Sequence, residues 1–512
     1  MKTLLALASR SISAAFIALL LALPGWAQQS VPQQPAAPQQ PQPAQQSQSI
    51  EPAPPSDQAT AERRISPQEA QELLRSVDEI LQFVSKDTGL AIKHPVKRKL
   101  ASREEVRNYI EDRMKDDEDR RRLERSEVVL KKFGLLPREF NLKVFLVDLL
   151  KEQVAGFYNT KDKTVYLLDW VEPEAQKPVL AHELTHALQD QNFNLEKWVK
   201  AAKGGKPGSA EALMEDERIA ARQAVSEGQA MVSLINYMLA PTGQSLLTSP
   251  MIADAMIAGM AQSGQTPLYT RAPMFLRELL IFPYQYGLKF ERDLLVAKGT
   301  QGAFRGAFEK PPSQSRQVMQ PTTYLQNESL PEMPVPPFEE VVGKSYQNYD
   351  LSVLGQFDVW LLSKQYAGQS SAEAIAPKWR GGYYYAAVKP GTPKPANGTA
   401  RIADSALAIA YASTWADADA AEQFAAIYAN YIPKRYPQAR ELGTQPKSKV
   451  GTFPTGAAEV NVSIAERLGG NRLWATEQGP VSVEVSANQV LVLEGFDEAT
   501  AAKLRAATLG SH

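Results

Sequence analysis

PVLAHELTHALQD, from Pro178 to Asp190, is the stretch on which the reading of this chain turns. Pro178 suits the first turn of a helix, and the residues after it favour helix. Helical positions four apart lie one turn above each other, with Cβ atoms about 5–6 Å apart. The imidazoles of His182 and His186 can therefore point at one ion, at the roughly 2.0–2.1 Å that zinc–nitrogen bonds require. Glu183 is rotated off that pair and can reach an activated water without displacing it. Val179, Leu180, Ala181, Leu184, Thr185, Ala187 and Leu188 are all uncharged, which predicts a dry site. The chain has only four histidines, one of them the C-terminal His512, and two of the other three fall here at ligand spacing. The alternative is an ordinary amphipathic helix with two partly exposed histidines, against which the scarcity of histidine and the apolar flanks both weigh.

A catalytic zinc site takes three protein ligands and leaves a fourth position open. The position six beyond His186 is Asn192, and no histidine follows before His512, so a carboxylate on a later helix is the expected third ligand. The helical stretch Glu211 to Met238 offers Glu211, Glu215, Asp216, Glu217 and Glu227. The first four sit in EALMEDER, a charged run that reads as solvent-facing. Glu227 is isolated among small and apolar residues between Ala220 and Met231, where a carboxylate is costly unless paired or metal-bound. The same small residues would let this helix approach the HELTH helix closely. Glu227 is therefore the expected third ligand and Glu217 the reserve. The competing reading of Glu227 is a surface glutamate or a partner for Arg222.

The pattern resembles the zincin metallopeptidases, and within them the gluzincins, in which HExxH on one helix is completed by a Glu on a later one. The wider run, GFYNTKDKTVYLLD, VLAHELTHALQDQNFNL, AVSEGQA, FPYQYGLKF and PPSQSRQ, is similar to a group of secreted bacterial HELTH proteins. The likeness covers about Leu100 to Tyr324 and rests mainly on the central motif. Glu227 lies 41 residues beyond His186, farther than in thermolysin-like enzymes, and Gln320 precedes Pro321 where that group often has a His. The resemblance implies a zinc peptidase acting on peptide or protein substrates, with Zn2+ on His182, His186 and Glu227 and Glu183 as general base. Zincins also place an edge strand over the metal for the substrate backbone to join. The hairpin-like run Val154 to Leu168, just before the helix, is the expected counterpart. An oxyanion donor should come from Tyr158, Tyr237, Tyr284 or Tyr286, since nothing places His94 near the site. Asp190 could orient a ligand or lie on the helix surface. Two other readings stay open: an envelope binding or scaffold protein that keeps zinc for structure, and a zinc hydrolase that does not cleave peptides.

The rest of the chain sets the frame. Its 512 residues imply several domains, and a formal net charge of −1 gives no field for nucleic acid. With no cysteine there are no disulfides or thiolate ligands. Lys2, Arg10, the apolar run Ile12 to Leu23 and Pro24-Gly25-Trp26-Ala27 read as a signal peptide over residues 1–27, implying an exported, periplasmic or secreted protein without stable membrane insertion. Residues 28–60, rich in Pro and Gln, read as a disordered linker. The expected fold class is α+β: a mainly helical zincin-like domain over residues 61–340, then an α+β module over 341–512. Within the first, Ser66 to Val84 and Ser102 to about Phe133 read as helix, Val96 to Leu100 as strand, and Phe140 to Leu150 as strand then helix. Trp379 and Tyr383 to Tyr385 read as core.

Overall fold

The computed structural model describes residues 64–113, 117–263, 266–329, 333–393, 401–444 and 467–510. The apolar run at 12–23, the Pro/Gln-rich segment and His512 lie outside the described residues. No helix among the described residues is long and apolar enough to cross a membrane.

Helix α1 (Pro67–Thr88) starts on Ser66, whose side chain caps Glu69 N–H while the Glu69 carboxylate returns to Ser66 N–H. Strand β1 (Lys97–Ala101) leads to α2 (Arg103–Arg113) and α3 (Asp117–Lys132), and the Ser102–Glu105 exchange opens the first of these. Residues 140–150 contain no strand: Asn141 caps Val144 N–H and the chain enters α4 (Leu142–Gln153) at once. Strands β2 (Phe157–Asn159) and β3 (Thr164–Leu168) form an antiparallel hairpin, with β1 parallel to β3 on its other side. The order β1-β3-β2 leaves β2 at the edge of this small sheet.

Helix α5 (Pro173–Phe193) carries the HELTH segment. It begins five residues earlier than the sequence implies, with Pro173 in its first turn and Pro178 inside it. Gln176 accounts for the early start. Its amide accepts from Leu168 N–H and donates to the carbonyls of Leu168 and Val171, clasping the new helix to the end of β3. Every residue from Val179 to Asp190 is buried, so α5 is wrapped on all sides. Leu180, Ala181, Leu184, Ala187 and Leu188 share an apolar cluster with Leu73, Val77, Ile80, Leu81 and Val84 of α1.

The stretch expected as one helix from Glu211 is broken at Met214, and α6 runs Glu215–Leu239. Helices α7 (Met251–Ser263) and α8 (Met274–Gln301) follow. Helix α6 packs on α5, but its closest backbone approach is to α8. A Cβ on Gly228 would lie 2.3 Å from Gly287 O, and one on Gly287 would lie 2.3 Å from Ala224 O. The small residues around Glu227 thus serve mainly the crossing with α8, which fixes the height of the neighbouring Glu227.

The chain continues through β4 (Gln347–Val353), α9 (Gln356–Ala367), β5 (Trp379–Val388), β6 (Leu407–Trp415), α10 (Ala418–Arg435), β7 (Arg440–Thr444), β8 (Asn471–Thr476), β9 (Gly479–Ser486), β10 (Gln489–Glu494) and α11 (Glu498–Leu509). The strands form a seven-stranded antiparallel sheet, order β4-β5-β6-β10-β9-β8-β7. With the helices this makes the chain α+β. Trp379, Tyr383, Tyr384 and Tyr385 are buried in the core. One apolar cluster runs from Ala101 through α6 and α8 to Val492, so residues on both sides of position 340 share a core.

Lys132 joins the two regions. Its ammonium is buried, donates to Gln478 Oε1 at 2.7 Å and lies 5.5 Å from the Tyr436 ring centre, while Arg435 donates to the Lys132 carbonyl. Burial pulls its pKa from 10.5 down to about 7, with Glu494 opposing. The unfolded lysine still holds its proton in that interval, so the group's contribution is complete above pH 10.5 and lost as pH falls through about 7. Lys132→Met should therefore flatten the rise of stability with pH between about 7 and 10, by up to about 1.4 kcal/mol per pH unit, measured by urea unfolding. Separately, Gly287→Ala should destabilise by about 1–3 kcal/mol, as overpacking does, and lower the urea midpoint.

Candidate metal centre

Three donor atoms from two helices converge. His182 Nε2 lies 3.1 Å from His186 Nε2 and 3.2 Å from Glu227 Oε2, and His186 Nε2 lies 3.4 Å from the same oxygen. The histidines come from successive turns of α5 and the carboxylate from facing α6. All three residues are buried, and among the described residues this is the one convergent group of three that could hold a metal ion.

Electrostatics within the triangle favour a neutral sum. Burial pulls the His182 pKa down to about 4, the hydrogen bond to Glu227 opposing and the charge of His186 adding to the fall. Burial would pull His186 the same way, but the Glu227 charge and hydrogen bond outweigh it and push the ring up to about 9. Glu227 mirrors this: burial raises a carboxyl, yet the His186 charge and hydrogen bonds from both rings hold it at about 2. Without an ion the site is a protonated His186 against an ionised Glu227, beside a neutral His182.

Glu183 lies alongside. Its Oε2 accepts the Tyr158 backbone N–H at 2.7 Å, and Oε1 is buried with no hydrogen-bond partner among the described residues. Burial pushes its pKa up to about 7, with His186 opposing and Glu227 adding. Tyr158 N–H points off the edge of β2 at Glu183, so the hairpin abuts the site.

The other candidates separate cleanly. Glu217 is ten residues before Glu227, about 15 Å along the helix axis. It is buried rather than solvent-facing and accepts from Ser315 N–H and Oγ at 2.8 and 2.9 Å. Nothing in EALMEDER could reveal that partner, which is supplied 98 residues later. Arg222 donates to backbone carbonyls at Trp198 and Ala201 and does not pair with Glu227. His94 contacts Gln191 through its backbone. Asp190 is buried and holds the hairpin to α5, accepting from Tyr158 Oη at 2.9 Å, Lys163 Nζ at 2.6 Å and Leu195 N–H at 3.1 Å. Of the four tyrosines, Tyr237 packs on Phe83, and Tyr286 lies among Phe282, Phe357 and Trp360. Tyr284 stacks 6.3 Å from the His182 ring. Burial, then the charges of Glu227 and Glu183, raise its pKa well above 10.

His186 has a partner that the motif alone does not reveal. Its Nδ1 lies 2.9 Å from Gln189 Oε1, and Ser226, the neighbour of Glu227, donates to that same oxygen. Gln189 stands three residues beyond His186, on the same helix face, and that spacing was the available signal.

Compared with known proteins, the chain matches no family model, no curated protein and no solved structure.

Titrated with zinc, the protein should bind one ion per chain. Glu227→Gln should lose more affinity than the roughly 10–100-fold typical of an outer partner, whereas Glu217→Gln should keep the ion and lose stability. Binding must displace the proton of His186, so affinity should fall about tenfold per pH unit as pH drops from about 9 toward about 5, followed by competition with a chromophoric chelator.

Proposed function

We propose that this chain is an exported zinc-dependent peptidase that hydrolyses peptide bonds in a peptide or protein substrate. The observation that carries the reading is the triangle of two imidazole nitrogens and one carboxylate oxygen with Glu183 beside it. Donors about 2.0–2.1 Å from a tetrahedral zinc stand about 3.3 Å apart. The separations of 3.1, 3.2 and 3.4 Å fit three corners of that tetrahedron. Two nitrogens and one oxygen suit zinc better than the hard cations, which prefer all-oxygen sites.

Zinc held there supplies a Lewis acid that polarises a carbonyl and brings the pKa of water toward about 7. His182, His186 and Glu227 hold and orient it. Glu183 takes the proton of the attacking water at its carboxylate and delivers it to the departing amine. A pKa of about 7 suits both halves of that cycle near neutral pH. Tyr284 stays protonated at such pH, and its ring beside His182 makes it the candidate donor to a developing oxyanion. The hairpin stands beside the site, and Tyr158 N–H at the β2 edge fixes Glu183 there. A purely structural zinc has no use for a second buried carboxylate with one oxygen unbonded, which favours catalysis over a scaffold role. Export rests on the signal-peptide pattern of residues 1–27.

Glu183→Gln should retain one zinc per chain while cleavage of casein or a quenched peptide library falls at least about 100-fold. Full activity in that variant would rule the mechanism out.

A further inference from the structure

The bonds around Gln189 continue past His186 in one direction only. Gln229 is buried on α6, and its amide nitrogen lies 3.0 Å from the carbonyl oxygens of both Ala303 and Phe304. Carbonyls only accept, so this end of Gln229 must be the NH2 group. Its Oε1 then faces Gln189, whose amide nitrogen is 3.0 Å away and also 3.1 Å from the Ser226 carbonyl. With two acceptors on that side, Gln189 also has a single orientation, and its Oε1 is turned toward His186 Nδ1 at 2.9 Å. Ser226 Oγ donates to the same Oε1 and reinforces it. An acceptor opposite Nδ1 requires that nitrogen to carry its hydrogen, which leaves the Nε2 lone pair for the ligand triangle.

The far end of this chain is unusual backbone. Residues Gly302–Gly306 form a π-helical turn that follows α8 directly, just after Gly299 with φ of 65°. Its Ala303 and Phe304 carbonyls are the two that Gln229 uses. Glu291 of α8 also lies beside Gln229, and burial pushes its pKa well above the carboxylate range, with the Gln229 side chain opposing. A neutral carboxyl there does not compete as an anion for the Gln229 N–H groups.

We propose that Gln189 and Gln229 are positioning residues that transmit the fixed polarity of the Ala303–Phe304 π-turn to His186, holding it as the Nδ1–H tautomer with Nε2 aimed at the metal. This rests on the metal-centre reading above and adds to it residues that touch neither metal nor substrate. Among the described residues Gln229 bonds to Gln189, Ala303 and Phe304 rather than to His186, so a purely local account gives it no effect on the ion.

The test uses the full chain with zinc, and with cobalt as a spectroscopic stand-in. Gln189→Met should weaken zinc binding about 10–100-fold. Gln229→Met should produce a loss of similar size with an unchanged far-ultraviolet spectrum, and both should alter the cobalt d–d bands. The double variant should be little worse than Gln189→Met alone, because the two act in series. Nitrogen-15 NMR of the zinc-loaded wild type reads the tautomer without any substitution, and should show His186 Nδ1–H. Normal zinc affinity and cobalt bands in a folded Gln229→Met variant would overturn the relay, as would strictly additive losses. An Nε2–H tautomer in the wild type would overturn it even if the variants failed to fold. A wild type that binds no zinc would instead sink the metal centre itself.

Discussion

An ionised Glu227 carboxylate held between two imidazoles inside an apolar interior is the constraint around which the helical half is arranged. A buried carboxylate costs several kcal/mol unless opposite charge and hydrogen bonds meet it. Here both rings stand within 3.4 Å of one oxygen. That arrangement survives only if α5 and α6 are pressed together at a fixed height. Three features impose it. Helix α1 covers the far face of α5 with an aliphatic cluster. The crossing of Gly228 and Gly287 locks α6 against α8 one residue from Glu227. Asp190 and Gln176 tie the β2–β3 hairpin to the body and the start of α5. Each acts on geometry rather than on chemistry, and the chemistry depends on all three.

The larger sheet is bound into the same frame. Glu217, on the helix that carries Glu227, accepts from Ser315, whose hydroxyl oxygen in turn accepts Phe357 N–H at the start of α9. Gln356 receives Gln320 and Arg316, so the segment between α8 and β4 is cross-linked to α9 by side chains. A second junction is wholly buried. Tyr428, Tyr436 and Arg435 converge on Glu494, and burial, which would raise this carboxyl, is outweighed by Arg435 and then Lys132, leaving it below its usual range. Such networks destabilise strongly when one member is removed, so the two regions should unfold together.

What could be read from the sequence follows the range of the forces involved. The convergence of His182 and His186 was legible because an i,i+4 spacing is a local geometric fact. Glu227 was legible because a lone carboxylate among alanines has few inexpensive fates. Glu217 could not be placed from the sequence, because its partner Ser315 is remote and local charge density resembles solvent exposure. Pro178 looks like a helix start in the sequence, because the clasp of Gln176 on β3 that carries the helix back to Pro173 is a tertiary contact. Strand β8 carries a mixed sequence, NRLWAT, whose polar and apolar residues show no clean period of two, and pairing alone makes it a strand. The aromatic run Tyr383 to Tyr385 was legible as core, since three adjacent large rings find burial in a sheet covered on both faces.

The central claim is that His182, His186 and Glu227 share one zinc ion, and crystallography at the zinc absorption edge tests it most directly. The account predicts a single strong anomalous peak per chain, about 2.0–2.2 Å from His182 Nε2, His186 Nε2 and a Glu227 oxygen, with one coordination position left to solvent. Crystals grown with zinc that show no peak among these three side chains, or show one held by a fourth protein ligand, would contradict it.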